Sequence, residues 1–228
     1  MINRYTLPEM GALWTELFKK QMWHKVELAS LQAQETLEHI PQGICEEAKQ
    51  VVIDKELLER ADELEKVSDH DLNAFVKAVS EQLTNPLYHR GMTSYDTEDT
   101  ALALIIQKVI GLIETKLKRL RKVLLEQAKR HKYTAEIGRT HFIHAEPITF
   151  GFKILGWIDV IERHQSRLVV TKEECRVGKL SGAVGIYSLP PEVEELTCTL
   201  LGLRAAKIST QVISRDILFH LSMILVGI

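Results

Sequence analysis

From Leu102 to Leu124 the apolar positions Leu102, Ile105, Ile106, Val109, Ile113, Leu117, Leu120 and Leu124 follow one another at steps of 3, 1, 3, 4, 4, 3 and 4. That spacing keeps them on one helical face. It predicts a helix from about Ser94 to Arg130, roughly 55 Å long at 1.5 Å per residue. A helix of that length needs long neighbours, so a bundle and an oligomer are expected. An earlier helix is expected over Met10–Leu37, with Leu13, Leu17, Val26, Leu28 and Leu31 as its buried stripe. Pro41 is expected to restart the chain at a first helical position. Asp54 reads as the N-cap of a short helix ending near Lys66, and Ser68 or Asp69 as the cap of the next, to about Leu83. Further helices are expected over Ile148–Arg176, from Pro190–Pro191, and after Ser209–Thr210 into the C-terminus. The runs TNPLYHRGMTSYD and EIGRTHFIHAEP read as loops. No period-2 alternation is long enough to predict a strand, so the expected class is all-α.

Composition narrows the function classes. The net charge is −2, which gives no general pull towards nucleic acid or membrane. Lys116, Lys118, Arg119, Arg121 and Lys122 interleave with Leu117, Leu120 and Leu124, so they read as the solvated face of an amphipathic helix rather than a nucleic-acid surface. Cys45, Cys175 and Cys198 are odd in number and widely spaced. Neither a disulfide framework nor a zinc ribbon is expected, and a reducing cytoplasm fits best. MINRYTLPEM has no apolar core of a signal peptide, and no run reaches about 18 apolar residues, so no membrane span is expected.

Three segments carry candidate chemistry. GRTHFIHAEP holds Arg139, His141, His144 and Glu146, groups that can move protons and bind anions. The plainer alternative is a polar loop with a structural histidine. A metal site on His141, His144 and Glu146 matches no zinc spacing, and no cofactor is expected. HRGMTSYD offers His89, Thr93 and Ser94 at a helix entry, where hydroxyls and free backbone N–H groups suit a carboxylate or phosphate. Ordinary N-capping is the alternative. His70 and Asp71 open another helix, with capping by the acidic residue as the plain reading. Arg4 and Tyr5 suit a phosphate, with plain surface residues as the alternative.

INRYTLPEM, WHKVELASLQAQ, HDLNAF, HRGMTSYDTEDTALAL, GRTHFIHAEPITFG, GKLSGAVG and ISTQVISRD occur in the order and spacing of the adenylosuccinate lyase family. Over essentially its whole length the chain resembles that branch of the fumarase and aspartase superfamily. The second histidine and Glu-Pro of GRTHFIHAEP are the discriminating part, since the other branches usually carry Gln in place of that histidine. The resemblance implies a small N-terminal helical domain, residues 1–93, followed by the first part of a long-helix bundle, residues 94–228. It also implies a homotetramer whose subunits share the sites.

The implied reaction is β-elimination of fumarate from adenylosuccinate to give AMP, and from succinylaminoimidazole carboxamide ribotide, in purine biosynthesis. The resemblance makes His141 the general acid and His70 its assistant. It gives His70 and Asp71 a substrate-binding role, Thr93 and Ser94 a carboxylate of the succinyl part, and Arg4 and Tyr5 the phosphate. Gln211 binds substrate in this scheme, His89 lines the site, and Arg215 lies in a matching Arg-Asp pair. The family's catalytic base is a serine in a loop of the pattern S-S-x-M-P-x-K-x-N-P, which these 228 residues lack. Little elimination is therefore expected from the chain alone. Ile217, Leu221, Ile224 and Ile228 carry an apolar stripe to the last residue, so a truncation is expected. The alternatives are a non-catalytic helical protein that binds nucleotide or pairs with full-length subunits, and a different lyase of the superfamily.

Overall fold

The computed structural model describes residues 2–228, Asn3 by its backbone only. Its elements are α1 (Pro8–Gly11), α2 (Glu16–Thr36), α3 (Ile44–Lys49), α4 (Lys55–Ser68), α5 (Asp71–Ser80), α6 (Ser94–Arg130), β1 (Ala135–Thr140), β2 (Ile143–Thr149), α7 (Phe150–Glu174), β3 (Val177–Gly178), α8 (Pro191–Leu200), β4 (Arg204–Ala205) and α9 (Asp216–Gly227). Helices dominate, as the periodicity predicts, and α6 has the expected bounds. The chain forms two compact units. The first is Met1–Val109 with Cys175–Arg215, and the second is Ile110–Glu174 with Asp216–Ile228.

Several expected boundaries move. The first long helix is broken at Thr15, whose extended backbone and side-chain acceptance from Phe18 N–H make it the N-cap of α2. Pro41 does not open a helix. Gly43, at φ 95°, turns the chain into α3. Asp54 caps α4 as expected, accepting from Leu57 N–H at 3.0 Å. Neither Ser68 nor Asp69 caps α5. Asp69 ends α4 in the left-handed region, and the cap is His70. The last helix starts at Asp216, because the preceding loop is tied down by Ile213 N–H donating to Asp99 Oδ2 at 2.8 Å.

In the first unit Trp23, Val26, Leu31, Leu72, Phe75, Val79 and Ala101 form one buried cluster. Trp23 meets Phe75 edge-on at 5.7 Å, a favoured aromatic geometry. Pro190 and Pro191 open α8, whose Cys198 joins the same core. β3 and β4 pair in parallel, Val177 with Arg204 and Gly178 with Ala205.

In the second unit the expected loop EIGRTHFIHAEP is an antiparallel hairpin, with Ala135 opposite Thr149 and Thr140 opposite Ile143. The hairpin has no alternating apolar face, so hydrophobic patterning could not reveal it. Its register breaks between Ile137 and Arg139, where a Cβ on Gly138 would lie 2.7 Å from the Glu146 carbonyl oxygen. α7 starts tightly against the end of α6. A Cβ on Gly151 would come within 2.5 Å of the Ala128 oxygen, and Ala128, Ile154 and Ile158 form the local core.

Candidate active site

Two sequence motifs meet in the first unit. His70 caps α5, its Nδ1 accepting from Asn73 N–H at 3.3 Å. Its Nε2 lies 3.0 Å from Oγ of Ser94, the first residue of α6. With Nδ1 accepting, the neutral ring carries its proton on Nε2 and donates to Ser94. The Ser94 hydroxyl then has its own proton to offer an anion. Thr93 N–H is held by Asp96 Oδ2 at 2.9 Å, the backward half of a capping box. Asp71 does not cap its helix through a distant amide. Its carboxylate accepts from Leu72 N–H at 2.7 Å and faces Lys19 at 3.5 Å and Lys20 at 3.9 Å.

The electrostatics around these motifs are set by residues that the sequence did not point to. Lys20 is buried, with its ammonium 3.6 Å above the Trp23 ring, a cation–π contact. Burial, partly offset by Asp71, lowers its pKa to about 8. Glu98 is pushed upward first by burial and then by the charge of Asp71. Asp96 and Lys179, both 0% exposed, form an ion pair. Lys179 also donates to the Gly182 carbonyl at 3.1 Å, which ties the GKLSG segment to the start of α6. A charged residue in a glycine-containing run, GKLSG, is the one visible hint of that pair in the sequence.

His89 is half-buried rather than open to solvent. Its Nδ1 lies 2.8 Å from Oε1 of Glu27, and its backbone is left-handed at φ 63°. Burial opposes the charged ring, but the charge and hydrogen bond of Glu27, with Asp96 behind them, raise its pKa. Arg215 pairs with Asp99 at 2.9 Å. It borders a cavity of about 320 Å³ lined also by Trp14, Lys19, Trp23, Tyr95 and Glu98. Gln211 is exposed in the loop before Arg215. Arg4 and Tyr5 are exposed in a 3₁₀ turn, the guanidinium 5.6 Å from the Tyr5 ring. Their described contact is therefore with each other, not with the His70–Ser94 group.

His141 belongs to the second unit. It and Phe142 form the two-residue tip of the hairpin, at φ 48° and 64°. Two positive φ values are the signature of a type I′ turn, which usually takes Asn-Gly. Here an imidazole and an aromatic ring, Phe142 being 99% exposed, occupy conformations that cost each residue roughly 1–3 kcal/mol. Strain of that kind collects at functional sites. His144, on β2, is also exposed. Among the described residues no group of three or more His, Cys, Asp or Glu side chains is placed to hold a metal ion. No described helix is long and apolar enough to cross a membrane.

The fold and its neighbours define the class. A family model described as "Lyase" matches residues 6–227, and the chain belongs to that family. Among curated proteins, it is 46% identical to an adenylosuccinate lyase of Synechocystis sp. over 219 residues, 95% of this chain and 50% of the relative. It is 42% identical to adenylosuccinate lyases of Aquifex aeolicus and Thermotoga maritima, each over 220 residues with the same coverage. The chain thus spans about half the length of the curated relatives it matches. A solved fumarate lyase from Mesorhizobium sp. BNC1 superposes with a TM-score of 0.89 at 27% identity, covering 96% of this chain and 53% of that one. A 3-carboxy-cis,cis-muconate lactonizing enzyme from Pseudomonas putida superposes with a TM-score of 0.86 at 26% identity, covering 98% and 53%.

Proposed function

We propose that the chain supplies the substrate-holding and acid-bearing part of an enzyme that splits adenylosuccinate into AMP and fumarate. The observation that carries this reading is the 3.0 Å contact between His70 Nε2 and Ser94 Oγ. It joins the HD and TS motifs, 24 residues apart, into one polar group at the start of a 37-residue helix. The α6 N-terminus is electropositive, and the Ser94 and Thr93 hydroxyls can hold a carboxylate of the succinyl group there. Arg4 and Tyr5 take the phosphate, and His89, Gln211 and Arg215 complete the contacts with substrate. The 42–46% identity to adenylosuccinate lyases supports this choice of substrate.

In the elimination a base takes the proton from the succinyl Cβ, the C–N bond breaks and the C=C bond of fumarate forms. His141 gives its proton to the departing nitrogen. The base is not among the candidates here. The serine loop that the resemblance implies has no counterpart in these residues, so turnover requires that loop from elsewhere. The apolar side chains that α7 exposes, Phe152, Leu155, Trp157 and Val160 among them, support assembly into a homo-oligomer. The reading is tested by grafting residues 1–228 in place of the matching half of the Synechocystis sp. relative and measuring fumarate release from adenylosuccinate. Release is expected. A folded chimera that releases none overturns the proposal.

A further inference from the structure

Glu27 on α2 has a side chain that is 0% exposed, yet no step of the proposed reaction uses it. Its Oε1 accepts from Thr97 Oγ1 at 2.5 Å and from His89 Nδ1 at 2.8 Å. Its Oε2 is buried with no hydrogen-bond partner. A carboxylate taken fully out of water needs a countercharge. His24, one turn earlier on α2, does not supply it: its Nδ1 lies 2.8 Å from the Tyr88 hydroxyl, and burial lowers its pKa. On α6 the neighbouring charge is Asp96, itself an anion held by Lys179. Arg90, in the same loop as His89, turns to the His39 carbonyl at 3.0 Å. His89 is the basic group in contact with Glu27, and it supplies the countercharge when its ring is protonated.

The same contact fixes a loop. His89 at φ 63° and Gly91 at φ 73° bend the chain into Thr93 and Ser94, and Leu189 fills the space where a Gly91 side chain would stand, 2.5 Å from an added Cβ. Thr97, the other donor to Glu27, lies one turn into α6. One buried carboxylate therefore grips the chain on both sides of the Thr93–Ser94 pair. We infer that Glu27 is a positioning residue for the anion site at the start of α6. From the core it holds His89 as an imidazolium with Nδ1 turned inward, and so sets the ring and the Thr93–Ser94 segment before a substrate carboxylate arrives. This rests on reading Thr93 and Ser94 as the carboxylate site.

The first test uses ring-nitrogen NMR of the 228-residue chain across roughly pH 5 to 9, the range in which histidines titrate. His89 is expected to keep its Nδ1 proton and to titrate above an ordinary histidine. In Glu27→Gln its titration moves to lower pH. A wild-type His89 that titrates at or below the ordinary value overturns the inference, and this holds even if the variant does not fold. An unchanged His89 in a folded Glu27→Gln chain also overturns it. The second test places Glu27→Gln in the half-swap chimera. A raised KM for adenylosuccinate with kcat retained, restored in part by Glu27→Asp, is expected. Equal losses in both constants, or none, contradict a positioning role. A parent chimera that cleaves nothing defeats the lyase reading, whereas the NMR result still decides what Glu27 does to His89.

Discussion

His70 and Ser94 are joined at 3.0 Å, side chain to side chain, and the same imidazole caps α5 through its other nitrogen. One ring thus serves both a fold element and the candidate site, and the two duties can be separated. Asn is a good N-cap but is too short to copy the reach of an imidazole. His70→Asn is therefore expected to keep stability within about 1 kcal/mol, while the chimera loses at least tenfold in turnover of adenylosuccinate. Denaturant unfolding and steady-state kinetics on the same preparation check this. Full activity in a stable His70→Asn protein would leave the ring only its cap.

The hydroxyls at the start of α6 are assigned to a carboxylate rather than to the nucleotide. Thr93→Val with Ser94→Ala should weaken inhibition by fumarate about tenfold to a hundredfold, the loss of one or two hydrogen bonds to a charged group. Inhibition by AMP should change much less. An equal effect on both products would count against the carboxylate role.

At the tip of the hairpin, His141→Ala in the chimera should lower kcat by about 10²–10⁴, the usual contribution of a positioned proton donor. Phe142→Gly separates strain from chemistry. It relaxes the left-handed backbone beside His141 and should raise stability by about 1 kcal/mol, read from thermal unfolding. Near-normal turnover in His141→Ala would remove His141 from the acid role.

Lys20 gives a pH signature. Its pKa is about 8 in the folded chain against 10.5 for the free side chain. Below pH 8 the folded protein carries a buried ammonium at a cost. Between pH 8 and 10.5 the folded state gives up this proton while the unfolded state keeps it, so the cost fades as pH rises. Lys20→Met should therefore stabilise the protein by about 1–3 kcal/mol at neutral pH. The gain over wild type should shrink through that window, as followed by urea unfolding at a series of pH values. A gain that is constant with pH would show that the ammonium is not buried at a cost.

The fold was legible where one helix face carries the signal. The stripe from Leu102 to Leu124 gave the bounds of α6, and Asp54 gave the start of α4. It was not legible where tertiary contacts decide. Asp99, gripping Ile213 N–H and Arg215, delays α9, and no local pattern announces that. The 135–149 hairpin rests on backbone pairing and a strained turn rather than on alternation. In the site, HD and TS were visible as motifs, but their meeting is a tertiary fact. Glu27 and Lys20 stayed hidden because a charged residue within an amphipathic helix ordinarily faces water.

The most direct test of the central claim is fumarate release by the half-swap chimera, measured on adenylosuccinate, argininosuccinate and aspartate side by side. Release from adenylosuccinate alone, abolished by His141→Ala, is the predicted result. Release from argininosuccinate or aspartate instead, or cleavage of adenylosuccinate that survives loss of His141, would contradict the account.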